Sequence, residues 1–161
     1  MVVKLPSILE MASYVWYSQA CALGVFFEFS DYKRWIERSH EYKDVPSPIV
    51  PSLMWLGKGI ACLALFTVVS PTFNIETCYI ESYVAFSFLY RIVYFFLAMT
   101  FKRFFYYNPF CMTTGAIVAS GLGYNGKTKE GGEKWDTVIG VYVWELETAL
   151  SPIEMLRFWN H

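Results

Sequence analysis

The stretch "SPIEMLRFWNH" at 151–161 carries an amide and an imidazole that could do polar chemistry. Asn160 offers both donor and acceptor groups, enough to orient a hydroxyl or to stabilise charge developing on an oxygen. Ser151 is a good N-cap, Pro152 suits the first helical position, and Glu154 falls where it can close a capping box. The stretch therefore predicts a helix, with Asn160 four residues after Leu156 and seven after Ile153, on the apolar face. Such an inward amide is either a site residue or a core amide satisfied by a neighbouring helix.

Arg91 is the second candidate. It lies near the middle of an apolar stretch, and a charge at mid-membrane depth normally faces a bundle interior or a water-filled cavity. The alternative is a tilted helix that pairs Arg91 with an acidic neighbour such as Glu81. "GLGYNG" at 121–126 matches G-x-G-x-x-G, but the dinucleotide fingerprint needs a strand before it and a helix after it. Here an uncharged apolar segment precedes and a polar loop follows, which predicts a turn leaving a helix. His40 lies among charges in a loop and His161 is terminal, so no Ser/His/Asp or Cys/His set assembles. Cys21, Cys62, Cys78 and Cys111 lie far apart without a C-x-x-C pair; they read as structural thiols, and no metal site is expected.

The elements that must position these groups follow from the composition. Hydrophobic residues make up 55% of the chain, aromatics 20% and charged residues 17%, against about a quarter charged in typical globular chains. That predicts lipid as part of the solvent. A net charge of -1 leaves no basic surplus for a phosphate backbone, so nucleic-acid binding is not expected. Pro6 and Glu10 interrupt what would be the apolar region of a secretory signal, and none is expected.

A first apolar stretch, Met11 to Phe29, reads as a membrane helix leaving the bilayer through an interfacial belt of Tyr32, Lys33 and Trp35. Pro46, Pro48 and Pro51 predict extended chain. A second stretch, Leu53 to Val69, is long enough to cross a bilayer, with Lys58 near one end. A third runs from Tyr79 to Phe101 and a fourth from Phe104 to Gly126. The fourth holds six Gly, Ser and Thr residues between Thr113 and Gly123, which let helices approach closely. "GKTKEGGEK" is a polar loop, and "WDTVIGVYVWELETAL" is apolar but irregular, with Glu145 and Glu147 embedded. The prediction is an all-α, polytopic helical membrane protein with three or four membrane segments and amphipathic connections.

In order along the chain, "KLPSILEMASYVWY", "ALGVFFEFSDYKRWIE", "FKRFFYY", "AIVASGLGYNG", "KWD" and "ELETALSPIEMLRFWNH" resemble the membrane-bound O-acyltransferase family, in its lysophospholipid acyltransferase branch. The resemblance implies acyl transfer from acyl-CoA to the hydroxyl of a lysophospholipid, with acyl-CoA a co-substrate and no further cofactor. It implies membrane lipids as surroundings and the endoplasmic reticulum as location. The family's signature asparagine falls on Asn160, after Trp159. Site-shaping roles are implied for Glu147, Trp135, Asp136, Tyr124 and Asn125 within the matching blocks, and Arg91 joins them from its charge.

The family's second signature residue is a histidine farther on in an apolar helix, and relatives have helices before "KLPS". The expectation is therefore one partial domain over 1–161, truncated at both ends and inactive alone. The sequence departs from the family at Gly24-Val25, where relatives carry Gly-Pro. It also has Phe110 and Thr114 where they tend to carry Trp and Glu, and Gly140 where Asn is common. Two other classes stay open: a catalytically silent membrane interaction or regulatory protein, and a transporter or channel with Arg91 and Glu81 lining a pore.

Overall fold

The computed structural model describes residues 5–21, 23 and 25–159, with the side chains of Ala20 and Cys21 also outside the description. Asn160 and His161 lie outside the described residues. Those residues form eight α-helices and two 3₁₀ turns with no strand, in keeping with an all-α fold. They group into two units, Met1–Leu56 with Phe110–His161, and Gly57–Pro109.

The first unit opens with α1 (Ile8–Val15), for which "SILE" encodes a complete capping box. The Ser7 hydroxyl accepts from the Glu10 N–H at 3.3 Å, and the Glu10 carboxylate accepts from the Ser7 N–H at 2.7 Å. α1 ends at Trp16, and α2 (Ser18–Cys21) is a single turn. Residues 25–28 have no regular secondary structure and lead through an extended Glu28 into α3 (Phe29–Ile36). Among the described residues, the first predicted membrane helix is thus two short helices followed by irregular chain. Ser18 and Gln19 interrupt the apolar stretch, where their side chains bond each other at 2.9 Å.

The core of this unit is aromatic. Tyr17, Val25, Phe27, Tyr32, Tyr42, Ile117, Leu122, Tyr124 and Val138 form one buried cluster, with Tyr14, Phe29 and Trp35 packed against it. The rings of Tyr14, Tyr17, Phe27 and Tyr32 meet mostly edge to face, at centroid separations of 5.0–6.2 Å, the arrangement favoured by their quadrupoles. Tyr32 and Trp35 therefore belong to this core instead of an interfacial belt. The reason lies at the end of the long helix α6 (Phe88–Ser120), whose last carbonyls have no intrahelical donor. The Trp35 indole donates to the Ser120 carbonyl at 3.2 Å, and the Tyr42 hydroxyl donates to the Leu122 carbonyl at 3.0 Å. The Tyr17 and Ser120 hydroxyls bond at 2.6 Å.

α4 (Ile49–Val69) begins before the predicted stretch. Pro51 falls within its first turn, where a missing N–H breaks no helical bond. The earlier start moves Lys58 from the helix end to near its middle. α4 is long and apolar enough to cross a membrane, and only 17% of that stretch is buried, unlike the core helix of a soluble domain. Its first turns meet α6 within the first unit. A Cβ on Gly115 would stand 3.0 Å from the Leu56 side chain and 3.3 Å from the Leu56 backbone nitrogen. The small residues in this part of α6 therefore do allow close approach.

The second unit holds the remainder of α4, a 3₁₀ turn at Ile75–Tyr79, the short α5 (Glu81–Val84) and the first part of α6. The Tyr94 hydroxyl donates to the Thr72 and Asn74 carbonyls at 3.3 and 3.2 Å, and the Asn108 amide donates to the Gly59 carbonyl at 2.8 Å. The stretches predicted as separate third and fourth segments share one helix, because Lys102 and Arg103 are accommodated on it. Lys102 lies over the Phe66 and Phe105 rings at 5.7 and 5.3 Å, and Arg103 donates to the Thr100 hydroxyl.

Candidate functional site

The loop after α6 gathers four of the residues singled out in the sequence. α6 ends at Ser120, and Gly121 continues with φ of +90°, a conformation that favours glycine. "GLGYNG" is thus a turn leaving a helix, with α6 where the dinucleotide fingerprint needs a strand. The chain then doubles back. The Asn125 N–H donates to the Lys134 carbonyl and the Lys134 N–H to the Gly126 carbonyl, both at 2.9 Å.

This pairing sets Asn125 beside Asp136, with the Asn125 amide donating to the Asp136 carboxylate at 2.8 Å. Asp136 also holds Lys134 at 3.2 Å. Tyr124, buried at 4% exposure, packs against the Trp135 ring at 5.1 Å and donates to Glu133 at 2.7 Å. That bond, together with loss of solvent, pushes the Tyr124 phenol up to about 12. The Thr137 hydroxyl fastens the loop by donating to the Tyr124 carbonyl at 2.9 Å. These groups satisfy one another, so the arrangement is a braced platform more than a set of polar atoms aimed at a ligand.

A second constellation surrounds Trp159. α7 (Val143–Glu147) and α8 (Pro152–Phe158) follow the platform. Ser151 caps α8 as predicted, accepting from the Glu154 N–H at 3.3 Å, but the Glu154 carboxylate accepts from the Leu150 N–H instead of closing the box on Ser151. The helix stops at Phe158 because Trp159 turns extended, with φ −97° and ψ 124°, and forms a bridge to Val141. The Tyr142 N–H donates to the Phe158 carbonyl at 3.1 Å. Helical spacing therefore ends two residues short of Asn160, and Ile153 and Leu156 are 66% and 74% exposed. The apolar face on which Asn160 was placed is not an inward face among the described residues.

Trp159 is held on both sides. Its indole meets the Phe110 ring edge to face at 5.1 Å, and Phe110 packs so closely on Gly140 that a Cβ there would lie 2.9 Å from its ring. The Gly140 N–H donates to the Thr114 hydroxyl at 3.1 Å, and Thr114 donates to the Phe110 carbonyl at 2.8 Å. Three of the departures from the family pattern, Phe110, Thr114 and Gly140, thus sit in one contact beside Trp159. A small Gly140 leaves room for the Phe110 ring, and Thr114 supplies the Gly140 amide with an acceptor. Val141 and Tyr142 hold the same strand-like segment, and nothing in the one-dimensional pattern marked them.

Glu147 lies at the end of α7 with an exposed side chain. Arg91 belongs to the second unit and stands in the first turn of α6, near a helix end and not mid-span. Its backbone carbonyl accepts from the Tyr83 hydroxyl. Its Nε is buried with no hydrogen-bond partner, and it forms no ion pair with the exposed Glu81 among the described residues. The pairing read from the sequence is therefore not made.

The sequence profile of the membrane-bound O-acyltransferase family matches residues 1–161. The chain is 28% identical over 176 residues to the lysophospholipid acyltransferase of Saccharomyces cerevisiae, covering 96% of this chain and 28% of that protein. It is 29% identical to lysophospholipid acyltransferase 5 of Homo sapiens over 89% of this chain and 30% of the relative. It is 28% identical to lysophospholipid acyltransferase 2 of Arabidopsis thaliana over 98% and 36%. The chain therefore spans about a third of the length of the curated relatives it matches.

Proposed function

The chain belongs to the membrane-bound O-acyltransferase family, and from that premise we propose that it serves transfer of an acyl chain from acyl-CoA to the free hydroxyl of a lysophospholipid. The observation that carries the reading is the match of nearly the whole chain to proteins named for lysophospholipid acylation. Attack of the hydroxyl oxygen on the thioester carbonyl forms the ester bond, releases the CoA thiol and passes the hydroxyl proton to a base. An asparagine amide near the carbonyl can donate to the oxygen on which charge develops.

Asn160 is the residue we assign to that work. The support is indirect: Trp159, immediately before it, is fixed by the Val141 bridge and the Phe110 ring. Trp135, Asp136, Tyr124 and Asn125 form the braced loop we assign to shaping the site, with Glu147 at the end of α7. Arg91 keeps a role as a charged group near a helix end. No cofactor beyond acyl-CoA as co-substrate is proposed. The membrane-bound character of the family and the exposed apolar surface of α4 support a membrane setting, which we take to be multi-pass and in the endoplasmic reticulum.

The test is acyl transfer by the full protein with labelled acyl-CoA and a lysophospholipid. Asn160→Ala should lower kcat by about 100-fold, the scale of losing one donor to a developing oxyanion, while binding of lysophospholipid is retained. Turnover unchanged in Asn160→Ala would remove this assignment.

A further inference from the structure

One cavity of the first unit is lined by none of the described residues assigned to the site above. It has a volume of about 430 Å³ and is lined by Trp35, Arg38, Lys43, Asp44, Pro48 and Ser120 among others, within the about 300–1,000 Å³ range of small-ligand sites. The chain that walls it takes two non-glycine residues through left-handed conformations, Arg38 at φ 48° and His40 at φ 53°.

The charges of this segment divide into two kinds. Lys33 pairs with Glu10 and Glu37, and Arg34 pairs with Asp31 and Glu41. Arg38, Lys43 and Asp44, the three charged groups lining the cavity, make no ion pair among the described residues. The cavity therefore offers two cations and one carboxylate, uncommitted to each other. Ser120 and Gly121 bring to its wall the C-terminal end of α6, whose dipole favours positive charge. The position along the chain adds a third element: Pro48 lines the cavity and directly precedes Ile49, where the apolar helix able to cross a membrane begins. A helix that crosses a membrane would begin at the depth of the lipid headgroups.

We propose that this cavity binds the zwitterionic headgroup of a phospholipid or lysophospholipid, its phosphate held by Arg38 and Lys43 and its ammonium by Asp44 and the C-terminal end of α6. The inference deepens the acyltransferase reading, on which it rests, by naming the class of headgroup, and its test reads binding and not turnover. A protein that binds the lipid but transfers no acyl chain would refute the activity alone.

The full protein, in dodecyl maltoside so that the detergent brings no phosphate, is titrated with dihexanoyl phosphatidylcholine, dihexanoyl phosphatidylglycerol and free phosphocholine, followed by phosphorus NMR. The expected result is saturable binding, tighter for the zwitterionic lipid than for the other two. Arg38→Gln combined with Lys43→Gln should weaken it by about tenfold, the loss of a charge-assisted contact, while Arg38→Lys with Lys43→Arg retains it. Asp44→Asn should remove the preference over phosphatidylglycerol. Near-ultraviolet circular dichroism identical to wild type certifies each variant's fold. Equal binding of free phosphocholine would overturn the lipid assignment, and undiminished binding in the glutamine pair would overturn the site.

Discussion

Tyr42 illustrates how a single side chain can look solvated in sequence and be structural in the fold. It sits in "HEYKD", among charges, yet is 2% exposed and its hydroxyl donates to the Leu122 carbonyl. Burial pushes its phenol up to about 12. Tyr42→Phe leaves that carbonyl without its donor and should lower the unfolding free energy by about 1–3 kcal/mol in denaturant titrations. Glu10 gives a second test. The Ser7 N–H, then the Ser7 hydroxyl and Lys33 hold its carboxyl down to about 2, against an ordinary 4.5. A carboxyl depressed by folding contributes stability above its ordinary pKa, and the contribution fades as pH falls from 4.5 towards 2. In a carboxyl NMR titration Ser7→Pro, which removes both the N–H and the hydroxyl at a φ of −69° that proline adopts, should raise the midpoint more than Lys33→Met; the reverse order would mean that the ion pair and not the cap governs Glu10. The Ser-x-x-Glu spacing of this cap was legible in the sequence. Tyr42 was not, because nothing local shows that a phenol eighty positions from Leu122 will meet its carbonyl.

At the scale of elements, local chemistry was readable where it is self-contained. Ser151 and Pro152 open α8, and the glycines of "GLGYNG" turn the chain as soon as α6 ends. Length and continuity were harder. The apolar stretch from Met11 breaks at Trp16 and Tyr17, just before the polar pair Ser18 and Gln19, while Lys102 and Arg103 do not break α6 because Phe66, Phe105 and Thr100 receive them. Hydropathy cannot distinguish these cases, since it does not show which side chains will receive a charge. The small residues of α6 carry a prediction of their own. Gly115 lets the Leu56 backbone approach, so Gly115→Val should force α4 and α6 apart and cost about 1–3 kcal/mol or more. Gly115→Ala should cost less. Thermal unfolding in detergent ranks the two, and equal midpoints for both variants and wild type would mean that the contact contributes nothing.

For the whole molecule, the balance between aromatic core and exposed apolar surface gives the functional account its setting. The first unit buries its rings around the end of α6, and both units also expose large apolar side chains, among them Ile8, Trp144 and Leu150 at 77–95% in the first and Ile60, Val68, Phe88 and Phe96 at 61–75% in the second. Water would penalise such a surface, and lipid would not. The family match supports the chemistry proposed for that setting. The candidate site was legible only as motif blocks. Tyr124, Asn125, Trp135 and Asp136 do come together, while the contact of Phe110, Thr114 and Gly140 required the fold to be seen. The most direct measurement of the central claim is the identity of the acylated product. The full protein, given carbon-13-labelled oleoyl-CoA with a lysophospholipid and a long-chain alcohol in equal amounts, should yield labelled two-chain phospholipid as the dominant product by mass spectrometry. Label appearing in the alcohol ester, with none in the phospholipid, would contradict the account.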